Sequence, residues 1–423
     1  MKMFVVAFGL TGVAFANGQE ALEERVRKLE AAPGLRIKDG LKFSSEDGNF
    51  AASLNGRALF HYRSILDRPD GDPPVRSPAD SFFVRQARLE ASGTFYKEFD
   101  FKVQYSAGSG STLALEDGWL GWNRLKGFSV RAGQYRQPFS QEESCSTRFL
   151  DFAERSYGNV LTPGREVGLM VHGKLFEEIL GYELSAAGGN GKALDNNDEK
   201  ALYARLQVMP FVTGDMIAVK NLRIGVAVGM SRLDEVAIGA ATLTDGYDFT
   251  GRESAITYMN STAGTIDGER LLLGVELSYS CGPLGIRAEW IRRTDEVVPE
   301  EVDTEAAYAQ ATWILTGESK VQENRITPAH PFITDGGSGA VELALRLSTI
   351  EISEEIFDAG VAPRAGNSAK ARALTVGINW WPIKNVRITP NVILEKFGDD
   401  VALDSNELED SATTFLVRFQ VDF

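Results

Sequence analysis

A chain of 423 residues with a formal net charge of −15 repels rather than attracts a phosphate backbone, and no basic patch offsets it, so a nucleic-acid partner is excluded. Two cysteines, Cys145 and Cys281, are too few for a disulfide framework in a chain this size. The three histidines, His61, His172 and His330, stand far apart without ligand-spaced neighbours, so neither a metal nor a cofactor is expected.

The first element is an export signal. Lys2 precedes an apolar stretch from Met3 to Phe15, and Ala14-Phe15-Ala16 offers small residues for cleavage, so residues 1–16 read as a signal peptide. A short buried strand or helix is the alternative. Residues 17–34 follow as a short periplasmic coiled-coil helix: Leu22, Val26 and Leu29 keep a 4-3 spacing with charges between them, and Pro33-Gly34 stop it. So short a helix is marginal alone, which leaves either self-association or a solvated tether. No later window reaches the roughly 18 consecutive apolar residues that a membrane-spanning helix requires.

From residue 49 onward the hydrophobic period is two. Leu222, Ile224, Val226 and Val228 alternate with Arg223, Gly225, Ala227 and Gly229, and Leu343, Leu345 and Leu347 alternate with Ala344, Arg346 and Ser348. The pattern predicts strands near 50–63, 81–95, 101–107, 114–122, 129–134, 166–173, 181–187, 201–209, 222–232, 270–280, 284–294, 304–315, 340–349, 372–382, 385–396 and 412–423, sixteen in number. Strands of about ten residues with one apolar face suit a tilted crossing of a hydrocarbon layer. Connections alternate between tight and long, as in such barrels, except that 316–339 is long where a short turn is due.

The final strand alternates through Thr413, Phe415, Val417, Phe419 and Val421 to a terminal Phe423. The edge strand of a sandwich could end the same way. Aromatics at strand ends, Tyr62, Tyr96, Phe128, Tyr182 and Trp381, are candidates for interfacial girdles. The fold class expected is therefore all-β: a 16-stranded antiparallel transmembrane β-barrel over residues 49–423, in the outer membrane of a Gram-negative-type cell, with a short N-terminal coiled-coil helix.

Alternation sets eight arginines on the lumen face: Arg88, Arg131, Arg205, Arg223, Arg287, Arg346, Arg387 and Arg418. The planar guanidinium stays charged and meets phosphate or carboxylate through two parallel bonds, so these side chains could contact anions. Glu90, Asp117, Glu166, Glu276, Glu289, Glu342 and Glu395 share that face, so internal salt bridges are the other reading.

Several segments resemble the phosphate-selective porin O/P family: FFVRQARLEASGTFYKEFDFKVQY at 82–105, EDGWLGW at 116–122, VRAGQYRQPFSQEE at 130–143, TPGREVGLMVHG at 162–173 and ILTGES at 314–319. The resemblance runs from about residue 50 to 423 and is densest between 82 and 173. It implies a homotrimer of barrels in outer-membrane lipid, passing small hydrophilic solutes, anions such as phosphate among them, by passive diffusion. It also implies a constricting third loop, here 135–165, which carries Arg136, Arg148, Arg155 and Arg165 among Glu142, Glu143, Asp151 and Glu154.

Two rivals remain. An enzyme would need a nucleophile with its base or a carboxylate pair on a defined scaffold, and the acid pairs Glu142–Glu143 and Glu300–Glu301 read as solvated charge, so none is expected. A structural envelope protein or adhesin anchored by its barrel is the alternative function.

Overall fold

Strict alternation leaves each strand with one apolar and one polar face, and in the computed structural model sixteen such strands close on themselves. Residues 36–37, 40–66, 78–193, 198–237, 249–261, 265–297, 300–403 and 408–423 are described; the expected signal peptide and coiled coil lie outside them. In chain order the barrel strands are β1 Phe50–Ile65, β2 Ser81–Phe95, β3 Phe99–Ala107, β4 Ala114–Leu125, β5 Phe128–Arg136, β6 Arg165–Leu175, β7 Leu180–Ala187 and β8 Ala201–Val208. The second half follows as β9 Arg223–Ala237, β10 Thr265–Cys281, β11 Leu284–Val297, β12 Glu300–Ile314, β13 Ala340–Ile352, β14 Lys370–Ile383, β15 Val386–Ala402 and β16 Leu408–Asp422.

Every strand pairs antiparallel with its neighbours, and β16 returns to β1 in a register running from Thr414 opposite Ile65 to Asp422 opposite Arg57. At the end of that seam Phe423 N–H donates to Gly56 O at 3.0 Å and Gly56 N–H donates to Phe423 O at 3.1 Å. A Cβ on Gly56 would stand 2.5 Å from the Phe423 ring, so only glycine lets the terminal aromatic lie against the seam. Below that point β1 runs on without β16, and a four-residue strand, Leu41–Ser44, pairs there with Ala51–Leu54.

The outward face changes from apolar to charged at one height. Going up from the periplasmic turns, Leu271 gives way to Glu269, Trp290 to Arg292, Ala307 to Glu305, Leu374 to Arg372 and Leu394 to Lys396. Register puts these changes side by side, since Arg292 opposes Glu305 and Arg372 opposes Lys396. This line is the extracellular edge of the hydrocarbon-facing band. It also explains why β9, β10 and β12 exceed their expected lengths: above the edge the outward face is charged rather than apolar, so the apolar-outward alternation that marks a strand disappears.

The long connection at 316–339 does not disturb the strand count. Residues 315–339 form an extended turn at the periplasmic end, between β12 and β13. Trp381 departs from its expected girdle position: it is buried against Ile314, Ile326 and Ala340. Alternation puts it there, since Trp381 follows Thr375, Gly377 and Asn379 on the inward face while Ile378 and Trp380 face outward. Trp380 instead carries the contact with Phe332, ring centroids 5.7 Å apart. Of the other girdle candidates, Tyr96 and Phe128 are exposed, Tyr62 lies 4.6 Å from the exposed Phe82 ring, and the Tyr182 hydroxyl donates to Gly127 O at 2.9 Å.

The position of the apolar band can be checked directly. Leu345→Arg, in mid-band on β13, is expected to destabilise the barrel refolded in lipid by about 2–4 kcal/mol, whereas Thr413→Arg, near the edge, costs about 0–1 kcal/mol. Denaturant titration of both variants measures this, and equal costs would misplace the band.

Candidate functional site

The polar faces of the strands enclose a lumen, and the longest well-described connection folds into it. Residues 137–164, between β5 and β6, contain helix α1, Gln141–Ser144, and two 3-10 turns, Thr147–Phe149 and Tyr157–Leu161. Ser140 Oγ caps α1 by accepting from the backbone of Glu142 and Glu143, each at 3.1 Å. No hydrogen-bonded ladder supports this loop, so its backbone must be satisfied by side chains of the wall.

Arginines of the expected lumen set do that. Arg387 Nη1 donates to Leu150 O at 2.7 Å, Arg418 Nη1 to Thr147 O at 2.9 Å, and Arg346 Nη2 to Glu154 O at 3.1 Å. Arg418 Nη2 also donates to Ala153 O, and Arg418 Nε to His61 Nε2 at 2.9 Å. Arg346 pairs with Glu142 at 3.1 Å and with Glu253 at 2.7 Å. Glu253 belongs to a second inward segment, residues 249–261, whose Ser254 hydroxyl donates to Glu395 at 2.9 Å beside the Tyr157 hydroxyl at 2.5 Å. Arg155, within the first loop, donates to the carbonyls of Glu142 and Cys145 at 3.0 and 2.9 Å.

A third segment enters from the periplasmic end. Lys320 of the extended turn is buried between Asp151 at 2.5 Å and Glu342 at 2.7 Å, joining the turn to the constricting loop. Glu323 meets Arg287 at 2.9 Å and Arg223 at 3.8 Å, and Arg325 meets Asp422 at 2.5 Å. Arg205 is committed to Glu276 at 2.8 Å. Of the twelve arginines singled out in the sequence, seven thus hold loops or wall partners: Arg155, Arg205, Arg223, Arg287, Arg346, Arg387 and Arg418.

Of the other five, Arg88, Arg136, Arg148 and Arg165 gather around one residue that sequence reasoning missed, Arg57, while Arg131 stands apart near Asp100 and Glu183. Arg57 on β1 stands directly across from Arg88 on β2, and Arg136 on β5 directly across from Arg165 on β6. Like charges opposed on one face of a sheet repel. Arg148, from the loop, lies close enough to Arg57 to repel it, and Arg165 and Arg136 act on both Arg57 and Arg88. Arg165 is neutralised by Asp117 at 2.6 Å and Glu116 at 3.0 Å, and Arg136 by Glu143 at 3.0 Å.

Arg57 binds only neutral groups, Gln86 Oε1 and Ser146 Oγ, each at 2.8 Å. Arg88 donates to Gln104 Oε1 at 2.8 Å and reaches Glu116 only at 3.6 Å. Arg131 lies over the Trp119 ring at 4.2 Å and Arg148 over Phe149 at 4.8 Å. Buried nitrogens of Arg57, Arg88, Arg131 and Arg148 lack hydrogen-bond partners among the described residues, as do those of Arg136, Arg287, Arg346 and Arg387. A buried, unsatisfied donor is costly, and a passing anion would satisfy it. Arg57 gave no signal in the sequence because its importance lies in its register with Arg88.

Two loop carboxylates, Glu143 and Glu154, are held in their charged state. Burial raises the Glu143 carboxyl, but Arg155, Arg136 and Arg165 outweigh it and bring it down to about 2. Glu154 is likewise raised by burial, and Arg85 and His61 hold it well below the ordinary carboxylate range. Burial opposes the Lys320 charge, yet Asp151 and Glu342 raise its affinity for the proton.

A closed barrel with an apolar belt, a charged lumen and an inward loop defines a porin of the outer membrane. The chain belongs to the phosphate-selective porin O and P family, whose profile matches residues 66–423. Porin O of Pseudomonas aeruginosa is similar to it, 24% identical over 450 residues and covering 99% of each chain. Among solved structures, the outer membrane channel DcaP of Acinetobacter baumannii superposes with a TM-score of 0.56 at 12% identity, covering 90% of this chain and 99% of that one. The anion-selective porin from Comamonas acidovorans gives 0.55 at 12% identity over 88% of this chain and all of the other (100%). OmpT of Vibrio cholerae, in its trimer form, gives 0.54 at 10% identity over 88% and 99%. These last three likenesses establish the fold.

Lys320→Met leaves Asp151 and Glu342 buried without their cation, and a loss of about 3–5 kcal/mol is expected in denaturant titration. The double variant Lys320→Met/Asp151→Asn recovers part of it, and full stability of the single variant would contradict the latch. Because the Glu143 carboxyl sits below its unfolded value, its contribution to holding the loop is complete above about pH 4.5 and is lost as pH falls toward 2. Conductance steps in a planar bilayer should keep their size down to about pH 4.5 and change below it. A step size that stays the same from pH 4.5 down to 2 would refute the assignment.

Proposed function

We propose that this porin passes small anions by passive diffusion, and that Arg57, Arg88, Arg131 and Arg148 are the side chains they touch. The observation that carries the reading is the directly opposed Arg57–Arg88 pair, which lacks a close carboxylate partner and leans on neutral amides and a hydroxyl, while its neighbours Arg136 and Arg165 are neutralised. Opposed guanidiniums offer converging donors that suit a tetrahedral oxyanion, so phosphate is the solute of first choice. The family's description and the anion-selective porin among its structural likenesses agree with that choice. Arg136 and Arg165, each neutralised, set the edge of the path rather than the binding point.

The working unit in this reading is a homotrimer, like the trimer form of OmpT of Vibrio cholerae. Residues 1–16 serve export as a signal peptide, and residues 17–34 extend into the periplasm as a coiled-coil helix. Transport needs no catalytic group, cofactor or metal.

Zero-current potential under a salt gradient, with phosphate added to block chloride current, tests the reading on refolded trimers. Wild-type protein is expected to be anion-selective and blocked by phosphate. Arg57→Gln/Arg88→Gln removes two charge-assisted contacts, about 1.5–3 kcal/mol each, and should raise the half-blocking concentration at least tenfold. Arg223→Gln, on a guanidinium tied to the periplasmic turn, should leave the block unchanged. Equal block in wild type and double variant would overturn the proposal.

A further inference from the structure

The outer surface carries a like-charge rung as well, and it has no lumen to explain it. Arg372 on β14 and Lys396 on β15 are direct cross-strand partners, both exposed on the face turned away from the pore. They stand at the extracellular edge of the apolar band, one position above Leu374 and Leu394 on that face. Lys370 adds a third cation one step higher on β14.

The nearby carboxylates leave the rung unbalanced. Glu351 is taken by Lys370 at 2.6 Å, and Asp410 reaches Lys396 only at 3.4 Å. Arg372 has neither a hydrogen bond nor an ion pair among the described residues. Two cations directly opposed on a sheet destabilise it unless an anion lies between them.

Below the rung the surface is hollow. A groove of about 720 Å³ runs between β12 and β15, lined on its outward side by Ala307, Ala309, Leu347, Leu374 and Leu394. Ala309 helps make the hollow, since the positions level with it on β13 and β14 are Leu347 and Leu374. Arg372 and Lys396 close its upper end.

A free inorganic anion would use the cations and ignore the groove, and an apolar partner would do the reverse. We propose that this surface seats an acylated, phosphorylated glycolipid of the outer leaflet, with one phosphate between Arg372 and Lys396 and acyl chain along the groove. Charge complementarity selects the occupant: guanidinium and ammonium converge at headgroup height above a strip that only hydrocarbon fits. The inference rests on the outer-membrane location of the barrel and is independent of what the pore passes, because every residue in it faces outward.

The test uses full-length trimer in detergent, with bis-phosphorylated hexa-acyl lipid A as probe, its dephosphorylated form and phosphatidylglycerol as comparisons, and bound lipid counted by native mass spectrometry. Wild-type protein should retain lipid A at least tenfold better than the dephosphorylated form. Arg372→Gln/Lys396→Gln should abolish that preference while leaving conductance and zero-current potential unchanged, which separates this proposal from the anion-pore reading. Arg372→Gln alone, should the double variant refold poorly, is expected to lower retention several-fold, whereas Arg292→Gln, tied to Asp303 at 2.5 Å, should not. Equal retention of phosphorylated and dephosphorylated lipid, or full retention by the double variant, overturns the proposal. So does Leu374→Cys forming a disulfide between protomers, since the groove would then face a second copy of the chain.

Discussion

No water reaches the backbone inside a hydrocarbon layer, and the rest of this structure follows from that constraint. Each peptide group of the wall must find its partner in the adjacent strand, so a sheet can span only if its last strand meets its first. Here the meeting is made by Thr414 through Asp422 against Arg57 through Ile65 and finished by the mutual bonds of Gly56 and Phe423. Closure fixes the outward face as the apolar one. What is left for the inside is an unusual core, built of arginine, glutamate and amide side chains rather than leucine.

That interior obeys the same rule at shorter range. A loop laid across the lumen exposes carbonyls with no ladder to accept them, and the wall answers with guanidiniums: Arg346, Arg387 and Arg418 bond to Glu154, Leu150 and Ala153 of the loop backbone. Each guanidinium has five donors, so one side chain can clamp two loop residues and still meet a carboxylate. An arginine in such a lumen is therefore ambiguous by type. Its partners decide its role: those bonded to carbonyls and carboxylates hold the loops that shape the pore, and those resting on amides, hydroxyls and rings are the ones we propose to meet what passes.

The sequence reveals periodicity well and register poorly, and the results divide along that line. Period two marked all sixteen strands, the terminal Phe423 and the arginines of the lumen face, because each is a property of one strand. Arg57 escaped notice because nothing in Phe50–Ile65 tells that Arg88 will stand opposite it. Lys320 escaped because the turn that carries it has no period at all, and its meaning lies in Asp151, far away along the chain. Trp381 was assigned from its place near the end of β14 alone, although alternation through Asn379 turns it inward, where it packs on Ile314, Ile326 and Ala340.

Register also links the two faces of the wall. An opposed pair of cations in a sheet is unfavourable by itself, and the fold contains Arg57–Arg88 and Arg136–Arg165 inside and Arg372–Lys396 outside. Inside, the second pair is quenched by Asp117 and Glu143, while the first is left with neutral partners. Outside, the rung likewise keeps an unmatched Arg372. A structure under no other demand could relieve either strain with one acidic residue on a neighbouring strand, as it does at Arg165. The relief is present at one rung and missing at two others, and it is at those two that we propose anions from beyond the chain, one kind moving through the barrel and the other resting against it.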